Sequence, residues 1–324
     1  MKRYKKAACF CLLLLLLLAA GIGAYQAKRH QETRPLDIIL IQKAIDETND
    51  FWSSIHKGAK MAAREYGVNL TVWGPESERE VDKAHELIED AIAQKPDAIA
   101  LAPISYEETL IYARMIEEAG IPLILVDSVM AEPVGRCVVA TDNVEGGYKM
   151  GAYMSQFVDE NTAIGIVGHV QGSSTARERE QGFREGLGED QEKIVQVVFC
   201  ESSFELAREV TRQMLEEHPE INMIAGLNEY SSVGAAQAVR ELGLEDRIHM
   251  VGFDSSKQEI QLLEEGIFDA IVIQQAFNMG YLGIEKAVKA ARGEELPEYE
   301  DAGTVLITRE NIYTEENQKL LFPF

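Results

Sequence analysis

LDIILIQ, residues 36–42, is an almost continuous apolar run, and with the helically spaced stretch after it decides the fold. A strand apolar at successive positions has both faces covered, as inside a parallel sheet flanked by helices. Residues 51–66 then carry apolar side chains at helical spacing and end at Gly67, a residue suited to the left-handed position just past a helix. The alternation continues with strand 69–73, helix 79–94, strand 98–102, a helix opened by a Ser-Tyr-Glu-Glu capping box at 105–108, and strand 122–126. The second half repeats the scheme. Helices over 144–158, 174–187, 204–217 and 231–242 lead into strands 163–168, 194–199, 223–227 and 249–253. Strand 270–273, helix 277–292 and strand 304–308 close the chain. Alternation on this scale predicts an α/β protein of two doubly wound parallel-sheet lobes, and 324 residues suit two such units. No Gly/Ser-rich or Pro-rich linker separates the halves, so the connections are expected to be short and structured.

The first 27 residues are chemically distinct from the rest. Lys2, Arg3, Lys5 and Lys6 precede any acid, and an uncharged run from 7 to 27 holds an unbroken leucine block at 12–18. This is the layout of a secretory signal or an uncleaved membrane anchor, with the basic flank left in the cytoplasm and the remainder exported. Gly21 and Gly23 offer a small-x-small cleavage site, whereas Tyr25 is too bulky for one. Cys9 and Cys11 lie ahead of the leucine block, where a lipid-attachment cysteine would come after it, and read as apolar fillers. Cys137 and Cys200 are no disulfide framework and read as buried thiols. Residues 28–35 form a linker. The formal charge of −23 becomes −27 once the basic leader is set aside. A surface that acidic repels phosphate backbones, which excludes nucleic-acid binding as the main role.

In doubly wound sheets, ligands bind outside the carboxyl ends of the strands. There the sequence places Lys43, Asn49-Asp50-Phe51-Trp52, Asp127, Asp142-Asn143, the stretch from Gly172 to Arg179, Asn228, Asp254 and Gln274. Each has a plainer reading. Asp or Asn after a strand caps helices and forms turns. Phe51 and Trp52 also suit a core, and Arg177 and Arg179 beside Glu178 and Glu180 also suit a solvated helix face. Their joint placement favours a polyhydroxylated ligand. Planar Asp, Asn, Gln and Arg groups each engage neighbouring hydroxyls, and aromatic rings pack on the C–H faces of a sugar. Asp127 and Asp254 balanced by Lys43 and Arg177 suit a neutral one.

These residues resemble the sugar-type periplasmic solute-binding proteins, especially the ribose, allose and galactose group, over about residues 36–308. The carriers of the resemblance are NxF[FW] at 49–52, TDNxxGG at 141–147, TAREREQGF at 175–183 and VGFD at 251–254. The resemblance implies two lobes joined by three crossings, near Asp142, Gln274 and Gly303, that close on a sugar. One lobe would hold 36–141 plus 275–303, the other 142–274 plus 304–324. Phe51 and Trp52 would sandwich the ring. Asn49, Asp127, Arg177, Asn228, Asp254 and Gln274 would hold hydroxyls, Phe204 would lie over the ligand, and Lys43 matches a lysine of the allose-like members. Departures are Asp127-Ser128 for the Asp-Arg of ribose binders, Ala102 for an Asn, and Asp50 for a proline. They turn the expectation from ribose towards an allose-like hexose, another aldose or a polyol.

An enzyme is not expected: there is no G-x-S-x-G, GK[ST] loop or HExxH, and the six histidines lack metal-ligand spacing, so neither metal nor cofactor is implied. His169, near the proposed cleft, reads as structural. A LacI-type repressor shares the fold, but the leucine block stands where its DNA-binding segment would be. The expected role is a monomeric, exported binding protein serving an ABC permease. The alternative is a membrane-anchored sensor presenting its liganded form to a sensor kinase or chemoreceptor.

Overall fold

A computed structural model of the chain describes residues 34–321, and the proposed export segment at 1–27 lies outside the described residues. The apolar runs pair into two six-stranded sheets. In the first, β1 (Asp37–Ile41), β2 (Asn69–Trp73), β3 (Ala98–Leu101), β4 (Leu123–Val126), β5 (Cys137–Ala140) and β11 (Tyr299–Asp301) run parallel in the order β11-β5-β4-β3-β1-β2. In the second, β6 (Ile164–Gly168), β7 (Ile194–Phe199), β8 (Met223–Gly226), β9 (His249–Phe253), β10 (Ala270–Gln274) and β12 (Thr304–Thr308) take the order β12-β10-β9-β8-β6-β7. Only the edge strand β12 of that sheet runs antiparallel. The expected fold class, two parallel-sheet α/β lobes, is what the chain adopts.

Helices cover both faces of each sheet. Those of the first lobe are α1 (Asp50–Tyr66), α2 (Val81–Gln94), α3 (Leu110–Glu118) and α9 (Ala276–Ala291). Those of the second are α4 (Asn143–Met154), α5 (Ser174–Leu187), α6 (Phe204–Glu217), α7 (Glu229–Glu241), α8 (Lys257–Glu265) and α10 (Glu315–Leu321). The first lobe packs Ile39, Ile41, Ile99, Leu101 and Leu123 against Ile88 and Ile116. The second has a core on each sheet face, one around Phe268 and Met250, the other around Phe183 and Phe253. The chain passes between the sheets after β5, after β10 and between β11 and β12. In each lobe the strand order reverses direction beside the first strand, between β1 and β3 and between β6 and β8. Those two switch points are where the site is built.

One element starts later than its sequence signal. Ser105 Oγ does accept from the Glu108 amide at 3.2 Å, yet α3 begins only at Leu110. The Tyr106 amide donates to Gly172 O and its carbonyl accepts from the Ala131 amide, so its backbone is committed outside any helix. Cys137 and Cys200 are free and buried, and burial pushes their thiols up to about 11 and about 12.

Candidate functional site

Loops from the carboxyl ends of both sheets line a small cavity with about 310 Å³ of empty space between its walls, part of it open to solvent. The first lobe contributes its floor from α1. Asn49 caps that helix, its Oδ1 accepting from the Trp52 amide at 3.0 Å, which leaves the Nδ2 amide for the cavity. Capping and ligand contact are therefore two uses of one carboxamide. The cap fixes the first helical turn, where Phe51 and Trp52 meet edge to face at 4.9 Å. Trp52 is anchored further by Glu78, whose carboxylate accepts from the indole Nε1 at 2.9 Å.

Asp127 directly follows β4 in the left-handed region, φ 70°, and Asp254 directly follows β9 at φ 96°. Aspartate tolerates that conformation better than most residues, and such strain gathers at functional sites. The two lobes thus use the same device to turn a carboxylate over a strand end. Asp127 is paired with Lys43 at 2.7 Å, and Ser128 Oγ bridges both, accepting from Lys43 Nζ at 2.5 Å and donating to Asp127 Oδ2 at 2.6 Å. Asp254 accepts from Gln274 Nε2 at 2.6 Å and from the Glu229 amide at 2.9 Å. Gln274 in turn accepts from Thr141 Oγ1 at 2.9 Å, which ties the end of β10 to the crossing after β5.

Arg179 is buried in the second lobe. Its Nε donates to Asn143 Oδ1 at 2.9 Å, its Nη1 to Leu227 O at 2.8 Å, and its guanidinium stacks 3.8 Å over the Phe253 ring. Burial lowers its pKa, opposed by Asp254 and Asp127, and a guanidinium remains charged throughout. Asn228 caps α7, with Oδ1 accepting from the Ser231 amide at 3.0 Å. His169 and Thr175 complete this wall, with Tyr230 from the first turn of α7.

Several bonds cross between the lobes around the cavity. The Glu229 carboxylate accepts from the Asp50 and Phe51 amides at 3.1 and 3.2 Å. Tyr230 Oη donates to Asp46 at 2.7 Å, Ser202 Oγ donates to Glu78 at 2.8 Å, and the Val129 amide donates to Ser174 Oγ at 3.3 Å. Burial, with the nearby negative charge of Asp254, raises Glu229 to about 8; the two amides work against the rise.

The cavity gathers eight of the ten sequence-predicted contacts, Lys43, Asn49, Phe51, Trp52, Asp127, Asn228, Asp254 and Gln274. Two stand elsewhere. Arg177 is exposed and lies 3.9 Å over the Tyr106 ring, and Arg179 is the guanidinium inside. Two residues turn a helix by about 200°, so these neighbours face opposite sides of α5. Phe204 is half-buried against Tyr230, ring centroids 4.7 Å apart, and Tyr230 is the aromatic that reaches the cavity. Sequence reasoning missed Glu78 and Tyr230, named Thr175 at a strand end without assigning it a contact, and took His169 as structural. Glu78 lies just past β2, so the strand-end rule applied to that strand would have found it. Of the three proposed hinge positions, Asp142 caps α4, Gln274 bonds to Asp254 and Thr141, and Gly303 sits at φ 84° between β11 and β12.

Known proteins share this fold. Residues 43–295 match the family described as the periplasmic binding protein domain. A crystal structure of a sugar transporter from Clostridium phytofermentans is 40% identical, with a TM-score of 0.81 over 85% of this chain and 100% of that one. An ABC transporter solute-binding protein from Agrobacterium vitis with bound D-fucose is 26% identical, with a TM-score of 0.83 over 88% of this chain and 100% of that one. The D-ribose/D-allose-binding protein of Pseudomonas aeruginosa is 26% identical over 292 residues, 88% of this chain and 90% of the relative. With two doubly wound lobes, a cavity between their strand ends and a family match across most of its length, the chain belongs to the periplasmic binding protein domain family.

Proposed function

We propose that the protein captures a monosaccharide or related polyol between its two lobes outside the cytoplasm and delivers it to an ABC-type sugar importer. The observation that carries this reading is the make-up of the cavity: an aromatic pair beside carboxylates, carboxamides, a lysine and a guanidinium, drawn from both lobes. Hydroxyls need groups that both donate and accept, and the apolar ring faces need aromatic surface. Lys43, Asn49, Phe51, Trp52, Asp127, Arg179, Asn228, Asp254 and Gln274 are the proposed contacts. The crossings at Asp142, Gln274 and Gly303 are the proposed hinge. Relatives named for D-ribose, D-allose and D-fucose binding support a sugar of this size, and their association with ABC transporters supports import.

Asp127 is paired with Lys43 and followed by Ser128 where the resemblance expects the arginine of ribose binders, so the reading favours an aldohexose over ribose. A melting screen across aldoses, ketoses and polyols tests it. A ligand at a hundred times its Kd is expected to stabilise the protein by about 2.7 kcal/mol. Absence of any shift at millimolar concentration across the screen overturns the reading.

A further inference from the structure

His169 comes directly after β6, at the switch point of the second sheet. Its ring lines the cavity and is 3% exposed. One nitrogen is anchored: Nε2 lies 2.8 Å from Thr175 Oγ1 and 3.2 Å from Ser173 Oγ. The other is not. Nδ1 is sealed from solvent and meets no donor or acceptor among the described residues. Folded proteins rarely leave a buried nitrogen unpaired, and the exceptions gather where something outside the chain completes them.

Ser173 does not compete for that role. Its hydroxyl donates to Val170 O at 3.0 Å and its oxygen accepts from the Ala176 amide at 3.2 Å as the cap of α5. Burial first, then the positive charges of Arg179 and Lys43, hold the imidazole well below its ordinary pKa. The ring is therefore neutral, with one donor and one acceptor nitrogen. Whichever tautomer the Thr175 hydroxyl selects, Nδ1 needs the complementary partner. A hydroxyl group supplies either.

We infer that Nδ1 of His169 reads one hydroxyl of the bound sugar, and that His169 makes the second lobe distinguish a hydroxyl from a hydrogen at that ring position. The inference rests on the proposed sugar-binding role and deepens it. A site built to bond a hydroxyl rejects the analogue lacking it far more strongly than an apolar pocket rejects one extra group.

Two carboxamides separate a ligand contact from a structural anchor. His169→Gln places its amide near the Nε2 position and keeps the Thr175 bond; His169→Asn places its amide near the Nδ1 position. Calorimetric titration would use D-allose, D-ribose, D-arabinose and D-fucose, then the monodeoxy derivatives of the tightest binder. His169→Gln is expected to weaken binding by about ten- to a hundredfold while the unliganded melting temperature stays close to the wild type. One monodeoxy sugar is expected to lose a similar factor on the wild type and on His169→Asn, and almost nothing further on His169→Gln. Wild-type affinity in His169→Gln, or a deoxy penalty that persists there unchanged, overturns the inference and leaves the sugar-binding role standing. A wild type that binds none of the sugars and polyols of the melting screen overturns both. The deoxy comparison in His169→Asn reads the contact even if the Gln variant fails to fold, since loss of discrimination in Asn also overturns it.

Discussion

Lys43 and Asp127 stand 2.7 Å apart with 3% and 4% of their side chains exposed. Desolvating two charges offsets most of their attraction, so such a pair adds little net stability, but removing one partner strands the other. Lys43→Met is therefore expected to destabilise the unliganded protein by about 3–5 kcal/mol, read by urea unfolding. A loss under about 1 kcal/mol would show that Asp127 is not held as described. The pair holds a carboxylate in place before any ligand arrives, the condition for recognition without reorganisation. Arg179 and Arg177 divide in the same way between cavity and surface. Arg179→Ala is expected to weaken sugar binding by at least about a hundredfold, because it leaves buried acceptors and Asp254 without their cation. Arg177→Ala removes an exposed stack on Tyr106, with an effect of about fivefold or less. Equal losses in titrations of the two variants would sink the assignment. The sequence motif around 175–183 was legible as a site, but not which arginine enters it. The two arginines stand little more than half a helix turn apart, and the packing of α5 against α4 fixes which one faces inward. Glu78 could have been located by the strand-end rule, but its role was not legible, since it depends on Trp52 and Ser202, which are 26 and 124 residues away.

That contact between α4 and α5 is backbone on backbone. A Cβ on Gly147 would stand 2.1 Å from Arg179 O, and one on Gly182 would stand 2.0 Å from Val144 O. In the first lobe Gly58 and Gly280 do the same for α1 and α9, with Cβ positions 1.9 Å from Phe277 O and 2.0 Å from Ile55 O. Each seam sets a helix whose opening turns carry site residues, Arg179 on α5 and the Asn49–Trp52 start of α1. Gly147→Ala is expected to destabilise the protein by about 1–3 kcal/mol, since two helices must part to admit one methyl. It should also weaken binding by roughly tenfold through Arg179, whose own carbonyl it displaces. Gly172→Ala, with no atom within 4 Å of the added carbon, is the matched control for both readouts. An unchanged affinity in Gly147→Ala would separate the seam from the site. The glycines of TDNxxGG were visible in the sequence as a motif, whereas their purpose needs the partner helix. The fold itself was legible because the central parallel strands are apolar on both faces and most helices on one, a pattern that local composition carries. Elements that lean on distant partners escaped: β11 is three residues long and exists by pairing with β5, and α3 yields its first turn to contacts of Tyr106.

Across the whole molecule the lobes meet through Glu229, and through that contact the proposed closure is expected to respond to pH. Its carboxylate accepts from the first amides of α1 in the other lobe, so the facing lobe contributes to the burial that, with Asp254 of its own lobe, raises it to about 8. Beside it lie Asp50, Asp254 and Glu259. Asp254 and Glu259 are raised as well, each by burial first, and Glu259 well above the usual range. If parting the lobes exposes Glu229 to water, its pKa falls back towards the ordinary value of about 4.3. Closing on ligand therefore takes up a proton wherever the pH lies between those values, and affinity falls as pH rises through the window. His169 acts in the opposite sense. Held well below its ordinary value when buried, it would release a proton on closing, but only below about 6.5, where an exposed imidazole is charged. Between pH about 6.5 and about 8 the carboxylates act alone. The Kd is expected to rise there by up to about tenfold per pH unit, and to level off above about 8 once Glu229 is ionised in both forms. Glu229→Gln keeps an acceptor for one α1 amide and carries no proton to exchange, so its Kd should be nearly flat over the same range. Titrations at pH 6.5, 7.0, 7.5 and 8.0 decide the matter. A wild-type Kd that falls with pH, or a slope that Glu229→Gln keeps in full, would mean that closure does not bury this carboxylate, and that the lobes meet the ligand in some other way.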